Sequence, residues 1–178
     1  MKIRFATVDD IPAFVEMAQT FHTLTRFRAY DYNPERVAAN LKAVIDNPRG
    51  THCFFVAEDS GGKAVGGLIG CVESHFFSDK LVASLIHYDV LPEKRMSGAG
   101  LRLLTAFKKW AENRGAFEVC VGINSGTDID KMDRFLRKLG FKLTGGNYSM
   151  VMAGSVPSPL AGDGVGRDGR LTAHLAEG

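Results

Sequence analysis

The hydrophobic pattern along this 178-residue chain changes period several times, and each change marks an element. Residues 2–8 alternate apolar and polar, as a half-buried strand does. From Ile11 the apolar positions Ile11, Phe14, Val15, Ala18 and Phe21 recur at helical spacing, with Asp9 and Asp10 as caps and Pro12 in the first turn. A second helix starts at Asn33-Pro34-Glu35, carries Val37, Leu41, Val44 and Ile45 on its inner side, and stops in Asp46-Asn-Pro-Arg-Gly50. Strand-like runs follow over 52–57, 64–75 and 81–91. Gly66, Gly67 and Gly70 in the middle run predict a bulge or a close backbone approach, because no helix follows them to make a phosphate loop. The helical period returns from about Gly98 to Asn113, with Leu103, Phe107, Trp110 and Ala111 facing inward. A strand is then predicted over 117–123, a helix carrying Met132, Phe135 and Leu136 up to Gly140, and a closing strand from Phe141. This order of elements predicts an α/β fold with a mixed sheet.

After Met152 the pattern stops. Residues 153–178 are rich in Gly and Pro and have no apolar period, which predicts a flexible tail behind a single domain at 1–152. The formal net charge of +2 is too small to argue for nucleic acid or an anionic membrane as a partner. No run of 18 apolar residues occurs, and Met1-Lys2-Ile3 leads into a strand rather than a signal peptide, so a cytoplasmic location is expected. Cys53, Cys71 and Cys120 sit in apolar runs without a Cys-x-x-Cys pair, which predicts small buried hydrophobes and no metal site.

The stretch from Leu85 to Gly115 carries the chemistry. A strand ends at Val90-Leu91, Pro92 stops it, and Arg95-Met-Ser-Gly98-Ala-Gly100 opens a helix. A helix N-terminus offers unpaired amides and partial positive charge, glycines let an anion approach, and Arg adds a forked cation. A phosphate ligand is therefore expected, unless the glycines only join strand to helix. The turn lacks the Gly-Lys-Ser/Thr ending of a nucleotide loop and the third glycine of the dinucleotide fingerprint. What remains, Arg-x-x-Gly-x-Gly, resembles the coenzyme A pyrophosphate loop of the GNAT superfamily of N-acetyltransferases. Val90-x-Pro92-Glu93, Trp110-Ala-x-x-x-Gly115 and Phe135-Leu-Arg-Lys138-Leu-Gly140-Phe141 follow in that family's order. The resemblance spans roughly residues 1–152. It implies a mixed, mostly antiparallel central sheet flanked by about four helices, and acetyl-coenzyme A as acyl donor without a metal. It also implies cofactor contacts from Val90, Leu91, Arg95, Met96, Ser97, Gly98, Ala99, Gly100 and Asn124.

Catalytic candidates follow from the strand before the loop. His87 and Asp89 point to one sheet face, and Ile86, Tyr88 and Val90 are expected on the other. Where several members of the resembled family carry a Glu base, His87 is the substitute whose ordinary pKa lies near neutrality, with Asp89 to orient it. Both can instead be sheet-surface residues satisfied by hydrogen bonds, and Glu73 and His75 are weaker candidates. The family's Tyr, often a general acid, is replaced by Leu136. Tyr148 is the stand-in, with a strand aromatic as its alternative. Arg26, Arg28 and Tyr30 lie in the aromatic connection between the first two helices, which is either a surface connection packed by its own aromatics, with the arginines solvated, or, as is common in the resembled family, part of the acceptor wall. His22 reads as a helix-end side chain. The expected function is acyl transfer from acetyl-coenzyme A to a primary amine, on a small molecule or a peptide. The alternative is a non-catalytic acyl-coenzyme A-binding module on the same fold. Nothing points to nucleic acid or membrane, and a homodimer agrees with the habits of the resembled family.

Overall fold

The computed structural model describes residues 1–47 and 49–152. Met1–Asn147 form one compact unit, and Tyr148–Met152 belong to a second, in which they carry no helix or strand. The predicted tail at 153–178 lies outside the described residues. The elements are β1 (Lys2–Phe5), α1 (Ile11–Leu24), α2 (Pro34–Asp46), β2 (His52–Glu58), β3 (Ala64–Ser74), β4 (Leu81–Val90), α3 (Ala99–Asn113), β5 (Ala116–Cys120) and α4 (Ile129–Lys138). The strands lie side by side in chain order, antiparallel from β1 to β4 and parallel between β4 and β5.

Local chemistry starts the helices. Thr7 and Asp10 form a capping box ahead of α1, and the Asp10 carboxylate also takes two hydrogen bonds from Arg4 at 2.7 and 2.8 Å. Arg4 Nε reaches Glu58 at 2.5 Å, so one guanidinium joins β1, β2 and the start of α1. That hydrogen-bonded pairing holds the Asp10 carboxyl below its ordinary pKa. At α2, the Asn33 side chain accepts from the Arg36 amide at 2.8 Å. The helix ends in left-handed Asn47, whose side-chain amide exchanges two hydrogen bonds with the backbone of His52.

The sheet is covered on both faces. On one, α3 and α4 pack Leu103, Phe107 and Leu136 against Leu68, Val72 and Ala83. On the other, α1 and α2 pack Phe14, Met17 and Leu41 against Phe54, Val56 and Ile69. The β3 glycines make both dockings close. A Cβ on Gly67 would lie 2.3 Å from the Phe14 ring, and one on Gly70 would lie 2.3 Å from the Phe107 ring. Trp110, 7% exposed, belongs to this core and stacks on Phe107 with centroids 5.9 Å apart.

Four expectations need correction. Of the cysteines expected to be buried, only Cys53 is; Cys71 is half-buried, and Cys120, at the end of β5, is exposed. No strand begins at Phe141: residues 141–152 carry no regular structure, and among the described residues β5 is the last strand. The Gly145-Gly146 pair leaves the middle of that run without side chains to pack, which weakens a strand. β5 ends at Cys120 rather than at 123, because its ladder with β4 ends there. Ile86 does not share a face with Tyr88 and Val90. His87 pairs with Ile69 and Leu85 with Gly70, so Ile86 is the extra residue of a β-bulge and is 55% exposed. Among the described residues no helix is long and apolar enough to cross a membrane.

The ring-on-glycine contacts give a direct test. Gly70→Ala forces Phe107 off its site in a filled core and should cost about 1–3 kcal/mol. The urea midpoint should fall with an unchanged slope.

Candidate functional site

The bulge at Ile86 divides β4 into two halves with different neighbours. Before it, Leu81 to Ser84 pair with β3 on one side and with β5 on the other, the last parallel pair being Ser84 with Cys120. Beyond Ser84, Leu85 and His87 to Val90 keep β3 but, among the described residues, have no strand on the opposite side. The backbone groups on that side are free of the ladder, and the open edge runs toward the loop before α3.

That loop is tightly wound. Amides of Lys94, Arg95 and Ser97 donate to the carbonyls of Leu91, Pro92 and Lys94 at 2.8, 3.4 and 2.9 Å. Gly98 then takes φ +81°, a left-handed turn that an L side chain would strain, and α3 begins. The Ser97 hydroxyl accepts from the Ala99 amide at 3.3 Å, and the Leu91 amide is spent on Val65 at 3.0 Å. The amides of Gly98, Gly100 and Leu101 donate to no protein group among the described residues. Unengaged amides at the N-terminus of a 15-residue helix suit a pyrophosphate, and the open β4 edge suits the amide-bearing arm of an acyl carrier. Of the remaining loop residues, Met96 is fully exposed and Arg95 pairs with Asp128 at 3.6 Å.

Asp89 and His87 share the sheet face that α1 covers, as the alternation predicts: Asp89 sits opposite Gly67 under Phe14, and His87 meets the Phe21 ring at 5.0 Å. Burial sorts them in an unexpected way. Asp89 is 8% exposed, and desolvation raises its pKa to about 6 although the Val90 amide and Arg95 oppose the shift. His87 is lowered to about 4 by desolvation, so it is neutral and weakly basic near pH 7. The carboxylate, not the imidazole, has the pKa closer to neutrality. Glu73 and His75 lie at the far end of β3, where Glu73 pairs with Val82, and do not join this group.

The connection after α1 docks on the loop that follows β5. The Arg26 amide donates to Ser125 at 2.9 Å and its Nε to the Asn124 carbonyl at 2.6 Å, so Arg26 and Asn124 are brought together 98 residues apart in sequence. Arg28 and Tyr30 are exposed, and the Tyr30 carbonyl lies 2.8 Å from His22 Nε2, which gives His22 its structural role. Phe21 and Phe27, 6.0 Å apart, complete an aromatic wall beside His87. Tyr148 belongs to the second unit and is 98% exposed. Leu136 is buried in the core.

Pairing and packing reveal residues that the sequence does not single out. Asp128 faces Arg95, and Tyr88 reaches under Gly100 from β4. Neither leaves a signal in spacing, because each contact joins separate elements. A cleft of about 530 Å³ lies elsewhere, between Arg49, His52, Cys71, Glu73 and Arg114 at the opposite end of β3. Of the candidate residues it holds only Glu73.

Comparison with known proteins agrees with this geometry. Residues 14–141 match the Acetyltransferase (GNAT) family. Among solved structures, the chain is similar to an aminoglycoside acetyltransferase from an uncultured soil metagenomic sample, in complex with sisomicin. The TM-score is 0.64 at 20% identity, covering 85% of this chain and 95% of that one. It is also similar to an acetyltransferase of Trypanosoma brucei, with TM-score 0.65, 18% identity and coverage of 85% and 99%. Glucosamine-6-phosphate N-acetyltransferase from Arabidopsis thaliana gives TM-score 0.66 at 16% identity, covering 84% and 97%. At these identities the likeness is one of fold, and no curated protein matches the chain. The family match spans most of the compact unit and includes the open β4 edge, the Arg95–Gly100 loop and α3, so this chain belongs to the GNAT acetyltransferase family.

Proposed function

We propose that this protein transfers an acetyl group from acetyl-coenzyme A to a primary amine by direct attack in a ternary complex. The observation that carries this reading is the continuity of the open β4 edge with the unengaged amides at the start of α3, with Asp89 buried beside that edge. In this arrangement the backbone of Val90 and Leu91 flanks the pantetheine arm, and the loop from Arg95 to Gly100 surrounds the pyrophosphate. The acceptor enters past Phe21, Phe27 and the Arg26–Tyr30 turn. Its nitrogen attacks the thioester carbonyl; the C–N bond forms as the C–S bond breaks, and coenzyme A leaves as thiolate. Asp89, ionised above about pH 6, takes the proton released from nitrogen, directly or through one water. His87 stays neutral and shapes the acceptor side.

With Leu136 where the family often has Tyr, no phenol on α4 reaches the leaving sulfur. Holding the two substrates together is worth several kcal/mol by itself, whereas a positioned acid typically adds 10²–10⁴-fold, so its loss slows the reaction without preventing it. The acceptor is a small-molecule or peptide amine, and the expected setting is cytoplasmic. A binding module without turnover is the competing reading, favoured by Leu136 alone.

Thermal unfolding with acetyl-coenzyme A, coenzyme A, ATP and NADH in parallel tests the donor. At a hundredfold excess over Kd, the two coenzyme A species should add about 2.7 kcal/mol, a rise of about 5–10 °C, and ATP and NADH should add little. An equal shift with ATP defeats the reading. Turnover across a panel of amines then separates enzyme from binding module.

The pH profile tests Asp89. Its folded pKa lies above the unfolded value, so the stability it contributes is complete in acid and is lost as pH rises toward and through about 6. Activity runs the other way: kcat/KM should rise through about pH 6 as the carboxylate forms. In Asp89→Asn that limb should disappear, with activity at neutral pH down by 10²-fold or more.

A further inference from the structure

Tyr88 lies on β4 between His87 and Asp89, and the proposed reaction gives it no role. It faces α3, on the side of the sheet opposite Asp89. Its side chain runs under the first turn of that helix. A Cβ on Gly100 would lie 2.1 Å from Tyr88 Oη and 3.3 Å from Cζ, and the three atoms nearest to it all belong to Tyr88. Glycine at position 100 is therefore the space in which this hydroxyl sits. The Cα–Cβ direction of a helical residue tilts toward the N-terminus, so the oxygen lies on the N-terminal side of Gly100, where the amides of Gly98, Gly100 and Leu101 have no protein acceptor.

The hydroxyl has no hydrogen-bond partner in the protein among the described residues. No buried side-chain oxygen or nitrogen lacks a partner there, so this oxygen reaches the surface although most of its ring is covered. It also keeps its proton: burial, and then the neighbouring Asp89 charge, push the phenol up to about 12. A phenol lodged in the space that a side chain at position 100 would fill is a further donor beside Gly100, one of the residues whose amide is unengaged. Unlike an exposed Lys or Arg, its ring position is set by the core of the domain.

We infer that Tyr88 is a specificity-determining residue of the donor site, its hydroxyl donating to an oxygen of the pyrophosphate held at the start of α3. This rests on the reading that the loop binds coenzyme A. The consequence is selection among acyl donors: the chain should favour donors that carry a diphosphate over acyl-pantetheine, and part of that preference should reside in one phenolic O–H.

Tyr88→Phe keeps the ring packing and removes only the donor. Titration calorimetry should show coenzyme A binding weakened about tenfold or more, as expected for a hydrogen bond to a charged group. Ligand-observed NMR should show pantetheine, which lacks the pyrophosphate, binding the variant and the wild type alike, and the thermal midpoint of the free protein should hold. Unchanged coenzyme A affinity overturns the assignment. So does a parallel loss for both ligands, since that is the signature of a disturbed scaffold. If the wild type itself fails to bind coenzyme A, the reading of the loop falls first and this inference falls with it.

Discussion

Two phenylalanine rings seated on two glycines of one strand hold the layers of this protein together. Phe14 of α1 rests on Gly67 and Phe107 of α3 rests on Gly70, three residues along β3 and therefore on opposite faces. Any side chain at either glycine would push a helix away from the sheet. With the rings in place, α1 and α3 are fixed to the same short segment of β3, and β4 pairs directly with it. The site at the end of β4 inherits its geometry from these contacts, since α1 supplies the aromatic wall and α3 supplies the amides.

The bulge at Ile86 has a similar reach. One extra residue in β4 separates a half that pairs with β5 from a half that does not. A continuous ladder would satisfy every backbone group and leave nothing for a ligand. With the pairing ending at Ser84 and Cys120, the second half of β4 has, among the described residues, no strand on one side, directly upstream of α3, where the amides of Gly100 and Leu101 have no protein acceptor either. Such an exposed edge is a liability in a folded domain unless something occupies it.

Desolvation then sorts the titratable groups. It acts on Asp89 and His87 in opposite directions because it penalises whichever form is charged: the carboxyl goes up to about 6 and the imidazole down to about 4. The order of the two ordinary pKa values is thereby reversed. By residue type the histidine would titrate nearer neutrality; after burial the neighbouring carboxyl does.

The amino-acid pattern was sufficient for the elements and for the loop. Helical spacing from Ile11 and from Leu103, alternation in the strands and the Arg-x-x-Gly-x-Gly run are local features, written within a few turns of chain, and they placed the four helices and five strands found among the described residues, and the glycine turn that opens α3. The same alternation put His87 and Asp89 on one face. Other features depend on contacts between distant segments, and local spacing carries no record of them. The bulge at Ile86 arises from the register of β3 against β4. The docking of Arg26 on Asn124 joins residues 98 apart. The absence of a strand after Phe141 was hidden by a run whose composition still looks strand-like. Tyr88 under Gly100 and the exchanged pKa values of His87 and Asp89 were decided by tertiary structure alone, because both follow from which atoms exclude water from which groups.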